Sequence, residues 1–298
     1  MADLTPDAEG FVQADGHRIH WERFGTGDRE TVCLLNGLAM HTRSWYGFVP
    51  RLTDRYDVLL WDYLGQGGSS ADDVPYDIPR FGDYLTMIAD HLGIERFHLM
   101  GISYGGFVGL DYARRYQARL LTLTISGILL SHEELFEMYE ALSLRFYRGT
   151  LEVFEVYTHY MYEKIFGETF ARSARGSLES MRQKFFDRFK DRRHCLVRLT
   201  QAQDPFFAAL DARLPEYRAI QTPTLVMAGA EDRAIPPSVQ RKLCGILPNV
   251  RFEIVEDCGH VVYLEKPDIF FENLRRFMAA RSTTLVFVRE GPATVATA

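Results

Sequence analysis

Ser103 has a glycine two positions before it and another two positions after it, in Gly101-Ile102-Ser103-Tyr104-Gly105-Gly106. A serine hydroxyl is a weak nucleophile near neutral pH and needs a base within hydrogen-bond reach. The G-x-S-x-G spacing gains its meaning from context: an apolar run at 97–100 precedes it and a helical run at 107–116 follows. A strand-to-helix turn this sharp strains the central residue and leaves little room for side chains at 101 and 105. The spacing therefore predicts Ser103 at the C-terminal edge of a sheet, exposed for attack on a carbonyl.

Position selects the base from nine histidines. His260 lies in Asp257-Cys258-Gly259-His260, just after the apolar run Val250–Val255, at the same sheet edge as Ser103. His17 and His20 fall in an early alternating segment, His91 and His98 at the opposite edge, and His132, His159 and His194 in a helical middle region. His41 either lines a pocket mouth or faces solvent. A base needs an acid that fixes its tautomer and supports the imidazolium. Asp232 follows the strand-like run 224–227, and Pro236-Pro237 closes its loop; Glu231, Glu256 and Asp257 are the neighbouring carboxylates. A tetrahedral intermediate also needs backbone N–H donors. The Tyr104 amide is one candidate, and the Leu38 amide in Asn36-Gly37-Leu38-Ala39-Met40 is the other, with Gly37 permitting close approach.

The elements that must position these residues are short buried strands alternating with helices. Thr31–Leu35, Asp57–Trp61, 97–100 and 121–125 are near-continuous apolar runs, with two more at 224–227 and Val250–Val255. Such runs imply a mostly parallel sheet with helices on both faces, an α/β architecture. His17–Phe24 alternates and ends in Gly-Thr-Gly-Asp, which suits an antiparallel edge hairpin, and 269–280 is an amphipathic helix. The alternation stops at 129–214, a helical, aromatic-rich interval. Most of its rings suit helix packing, while an inner face including Tyr139 and Phe146 would line an apolar pocket. The division expected is a core at 1–128 and 215–281, a helical cap at 129–214, and a tail at 282–298 whose apolar patch packs as an edge strand or stays disordered.

The net charge of −6 carries no footprint for nucleic acid or anionic lipid. The four cysteines are scattered without metal-ligand spacing, which fits reduced thiols in a cytoplasmic protein and no metal. The first residues lack a leader pattern, and the longest apolar stretch is too short to cross a bilayer.

Over roughly residues 11–280 the sequence resembles the α/β-hydrolase family. The resemblance rests on Asn36-Gly37, on Asp62-Tyr63-Leu64-Gly65-Gln66-Gly67-Gly68-Ser69, on the Ser103 turn, on Gly229 to Pro236, and on Gly259-His260. It implies an eight-stranded sheet and a cap over the site. The chain order Ser103, Asp232, His260 is the one this fold uses. The family commonly has His-Gly where this chain has Asn36-Gly37, so the backbone donor is kept while contacts from the side chain at 36 would differ; Asn36, Gly37 and His41 are the expected substrate contacts in this loop. A serine nucleophile sets the chain apart from the aspartate-using dehalogenases and epoxide hydrolases, and Tyr104 replaces the Trp usual in proline iminopeptidases. Beside Gly65, Gly67 and Gly68, Asp62 suits turn hydrogen bonding, and Cys258 suits packing. The expected activity is hydrolysis of an apolar acyl or aromatic ester, thioester or lactone, without cofactor and with no call for a highly charged substrate. Acyl transfer, C–C bond hydrolysis and a small-ligand receptor on the same fold are the alternatives, and the residues leave chain length and oligomeric state open.

Overall fold

Alternate residues of each central strand face two different cores. In the computed structural model, which describes residues 4–285, 287 and 288, Cys33, Leu35, Leu59, Trp61 and Leu99 pack into one core. Their neighbours Val32, Leu34, Val58, Leu60 and Met100 pack into the other. Strand side chains alternate with period two, so a continuous apolar run is stable only where both faces are covered.

The strands are β1 (Ala8–Ala14), β2 (His17–Phe24), β3 (Thr31–Leu35), β4 (Asp57–Trp61), β5 (Phe97–Ile102), β6 (Leu120–Ser126), β7 (Thr224–Gly229) and β8 (Val250–Val255). They form one eight-stranded sheet in the order β1-β2-β4-β3-β5-β6-β7-β8. Only β2 runs against its neighbours. The remaining pairs are parallel. The antiparallel hairpin precedes His17–Phe24 instead of following it. Asp15 (φ 51°) and Gly16 (φ 82°) make the two-residue turn from β1, with both residues left-handed as the tight hairpin loop requires. The later glycines lead into β3. The sequence reading missed β1, whose residues are half-buried or exposed until Ala14.

Helices α1 (Ile78–His91) and α2 (Tyr104–Tyr116) fill the first core. Between β6 and β7 the chain leaves the sheet for seven helices: α3 (Glu134–Arg148), α4 (Leu151–Ile165), α5 (Glu168–Ser173), α6 (Arg175–Phe189), α7 (Arg193–Gln201), α8 (Asp204–Ala208) and α9 (Leu210–Arg218). The rings of Tyr147, Phe154, Tyr157, Phe185 and Phe189 give this insertion its own apolar cluster. After β7 come α10 (Pro237–Gln240), α11 (Val262–Glu265) and α12 (Pro267–Ala280); α11 and α12 cover the second core. In the tail, Phe287 is buried against Phe277, and the Asn273 amide pairs with both the N–H and the carbonyl of Val288. That segment packs without forming a strand among the described residues. Positions 286 and 289–298 lie outside them.

Candidate active site

The Ser103 turn has the geometry that its glycines permit. Ser103 ends the strand with φ 48° and ψ −119°, a conformation side chains rarely adopt, and α2 begins at the next residue. Its amide donates to the Ser126 carbonyl (2.7 Å), and its carbonyl accepts from Gly106 N (2.7 Å), which fixes the strained residue between β6 and α2. A Cβ on Gly101 would stand 2.3 Å from the Gly105 carbonyl oxygen, and one on Gly105 would stand 2.7 Å from the carbonyls of Leu35 and Asn36. Both glycines are therefore sterically required.

His260 and Asp232 meet at the ends of β8 and β7. His260 Nδ1 lies 2.8 Å from Asp232 Oδ2. The other carboxylate oxygen accepts from the amides of Ala234 and Ile235, both at 2.9 Å, so the loop closed by Pro236 and Pro237 orients the acid. The imidazole rests against Gly127, where an added Cβ would stand 2.5 Å from its Cε1. Ser103 and His260 open on one cavity of about 520 Å³, while Asp232 is buried behind the histidine. Glu231 turns away, accepting from the Glu168 amide (2.6 Å) at the start of α5.

Leu38 and Tyr104 also line this cavity. Tyr104 opens α2, so its amide has no acceptor within the helix. No described residue accepts from the Leu38 amide. The Leu38 loop is held by the Gly37 carbonyl, which accepts from Met40 N (3.2 Å) and from Gln66 Nε2 (3.0 Å). Gly37, His41 and Tyr139 line the cavity as well, and burial with the nearby Arg188 charge pulls His41 down to about 4.

Two expected wall residues are elsewhere. Asn36 is fully buried, donates to the Trp61 carbonyl (3.0 Å) and Asp62 Oδ1 (3.3 Å), and accepts from Trp45 Nε1 (2.9 Å). A side chain with every group engaged secures the loop and has nothing to offer a ligand. Phe146 packs on Tyr157 and Tyr160 inside the insertion, off the cavity wall. Asp62 accepts from the amides of Thr42 (2.8 Å) and Gly68 (2.9 Å) and from His20 Nδ1 (3.0 Å), a turn-fixing role. Cys258 is buried.

Two polar side chains not singled out by sequence hold the site together. Gln240 is fully buried; its Nε2 donates to Asp232 Oδ2 (3.0 Å) and the Ile235 carbonyl (2.8 Å), and its Oε1 accepts from Gly127 N (3.0 Å). It thus joins the acid to the residue beneath the histidine. Glu265 accepts from the amides of Gly259 (2.8 Å), Val261 (3.1 Å) and Gly167 (2.9 Å), bracketing His260 and tying it to the insertion. Burial pushes the Glu265 carboxyl up, and the three amides oppose that shift. Among the described residues one set of possible metal ligands converges, Glu9, His20 and Glu22, none of them on the cavity wall.

Comparison with known proteins matches the model of the alpha/beta hydrolase fold family over residues 30–267. This chain belongs to the alpha/beta hydrolase family. The "Putative carbamate hydrolase RutD" of Pseudomonas savastanoi pv. phaseolicola is 29% identical over 89% of this chain and 99% of its own length. A 2-hydroxy-6-oxononadienedioate/2-hydroxy-6-oxononatrienedioate hydrolase of Paraburkholderia phymatum is 27% identical over 88% and 91%. The crystal structure of MGS-M2, an alpha/beta hydrolase enzyme from a Medee basin deep-sea metagenome library, superposes with a TM-score of 0.83 at 24% identity, over 93% of this chain and 99% of that one. These relatives support a hydrolase acting on a small molecule. No helix among the described residues is long and apolar enough to cross a membrane.

Proposed function

We propose that this protein is a serine hydrolase that cleaves an ester, thioester or lactone through an acyl-enzyme. Ser103 attacks the carbonyl while His260 takes its proton, and Asp232 keeps the imidazole tautomer that presents the free Nε2 toward the cavity. The amides of Leu38 and Tyr104 receive the oxyanion, the leaving alcohol or thiol takes the proton back from His260, and a water molecule then releases the acyl group. The helical insertion serves as the cap that covers the site.

One observation carries this reading: a strained serine and a histidine paired with a buried aspartate share a single cavity. Two uncommitted amides beside the serine support it further, since such donors typically contribute about 2.7–4 kcal/mol each to the transition state. The test is turnover of a p-nitrophenyl ester series with product analysis in the presence and absence of an added alcohol. Release of free acid regardless of the alcohol supports hydrolysis. Ester exchange that outruns acid release would make the protein an acyltransferase instead, and no turnover of any ester would reject acyl chemistry.

A further inference from the structure

The cavity wall carries charge opposite to that of the chain. The chain has a net charge of −6, yet the charged side chains on the wall, apart from the two histidines, are Arg43, Lys164, Lys184, Arg188 and one carboxyl, Glu140. No described carboxylate forms an ion pair with any of the four cations. Burial, together with the charge of Asp204, pushes the Glu140 carboxyl up to about 8, so it offsets little of that positive charge near neutral pH.

Lys164 differs from the other three. Arg43 and Lys184 are solvent-exposed. Arg188 is exposed over part of its length, but burial pulls its guanidinium down and its Nη1 donates to the Ala39 carbonyl (3.4 Å). Lys164 is half-buried with no such acceptor. It precedes Ile165, whose carbonyl accepts from the His260 amide at 2.7 Å, so it belongs to the stretch of α4 nearest the candidate base. Its Nζ lies 4.2 Å from the ring centroid of Tyr139 and 5.4 Å from that of Tyr160. Ring faces attract an ammonium but accept none of its three N–H bonds in the manner of an oxygen. No oxygen of the described residues accepts from it either. An ammonium drawn partly out of water in this way is costly unless an anion joins it. Burial accordingly pulls the Lys164 ammonium below the ordinary lysine range, and the charge of Asp232 is the first to resist that shift.

We propose that the substrate carries a carboxylate at the end of its acyl group remote from the scissile carbonyl, and that Lys164 receives it. The substrate class is then a half-ester or half-thioester of a dicarboxylic acid. Ile102, Phe107, Phe136 and Met161 also line the cavity and offer apolar surface for the methylenes. The exposed cations Arg43 and Lys184 draw the anion in, an effect that weakens with salt. The reaction consumes one water: the ester bond breaks, the alcohol leaves with a proton, and a second carboxylate is released. This inference rests on the serine-hydrolase reading of the same cavity.

The test compares kcat/KM for p-nitrophenyl half-esters of glutarate, adipate and pimelate with that for the neutral p-nitrophenyl butyrate, valerate and hexanoate. Wild type favours the half-esters, and the anionic-to-neutral ratio falls about tenfold or more in Lys164→Met and recovers in part in Lys164→Arg. A wild-type ratio at or below one, or a ratio unchanged by Lys164→Met, overturns the proposal. A binding arm separates it from the catalytic reading: monomethyl adipate is titrated into Ser103→Ala with and without Lys164→Met, with methyl hexanoate as the neutral control. Binding that needs the carboxylate and Lys164 upholds the anion site even if no ester is turned over. Equal binding of both ligands rejects it even if Ser103 proves catalytic.

Discussion

The carbonyl of Ile165, the last residue of α4, accepts a hydrogen bond from the amide of His260 at 2.7 Å. The helical insertion and the candidate base are thus in direct backbone contact. Glu265 reinforces the joint by accepting from Gly167 on one side and from Gly259 and Val261 on the other, and Arg233 donates to the Glu163 and Phe166 carbonyls at the end of α4. A Cβ on Gly259 would stand 2.3 Å from Gly167 N, so the close approach itself needs glycine. Movement of the insertion would therefore act on the histidine.

Glu265→Gln tests that joint. The carboxylate serves three amides with two oxygens, whereas an amide side chain must turn an N–H toward at least one of those donors. We expect a stability loss of about 1–3 kcal/mol in urea unfolding and a fall in kcat under conditions where the variant is fully folded. A folded variant with full kcat would show that the joint does not position His260.

Gly127→Ala should harm activity more than stability. Its φ of 64° strains an alanine by about 1–3 kcal/mol, and the new methyl group would press on His260 Cε1. Displacing a reacting group by about 1 Å can cost about 10²-fold in rate. Urea unfolding and kcat measured on the same preparation check the two effects together, and a rate loss no larger than the fraction unfolded would count against the geometry.

Gln240→Glu keeps an acceptor for Gly127 N but sets a second carboxyl against Asp232 Oδ2. Additional negative charge beside the Asp232–His260 pair favours the protonated imidazole, which cannot act as a base. The acidic limb of the kcat/KM profile is expected to move to higher pH, a change that loosened packing alone would not produce. Gln240→Leu, which adds no charge, should lower kcat and leave that limb in place.

Glu140 predicts a pH dependence of stability. Its carboxyl titrates near 8 in the folded protein against an ordinary value of 4.5, because burial, then Asp204, disfavours the charged form. Between those values the folded state holds a proton that the unfolded chain has released. Stability from this group is therefore full below about pH 4.5 and is lost as pH rises toward 8. Thermal unfolding of Glu140→Gln across pH 5–8 should decline less steeply than wild type, and parallel curves would contradict the assignment.

Much of the site could be read in the chain because three candidate residues each follow an apolar strand, and parallel strands bring their C-terminal ends to one edge. Ser103, Asp232 and His260 all inherit their positions in this way. The direction of a side chain is harder to read. Asn36 lies in the right loop, but its amide turns toward Trp61, Asp62 and Trp45. Gln240, Glu265 and Lys164 had no local signal, since their importance comes from contacts between segments distant in sequence. β1 escaped because a half-exposed strand lacks the continuous apolar run that marked the others.

Labelling with a fluorophosphonate, followed by mass mapping of the modified peptide, tests the nucleophile assignment to Ser103 most directly. One adduct is expected on Ser103 in wild type, none in Ser103→Ala, and labelling slowed by about 10³-fold or more in His260→Ala. A folded wild-type protein that stays unlabelled, or a Ser103→Ala variant that labels as wild type does, would contradict it.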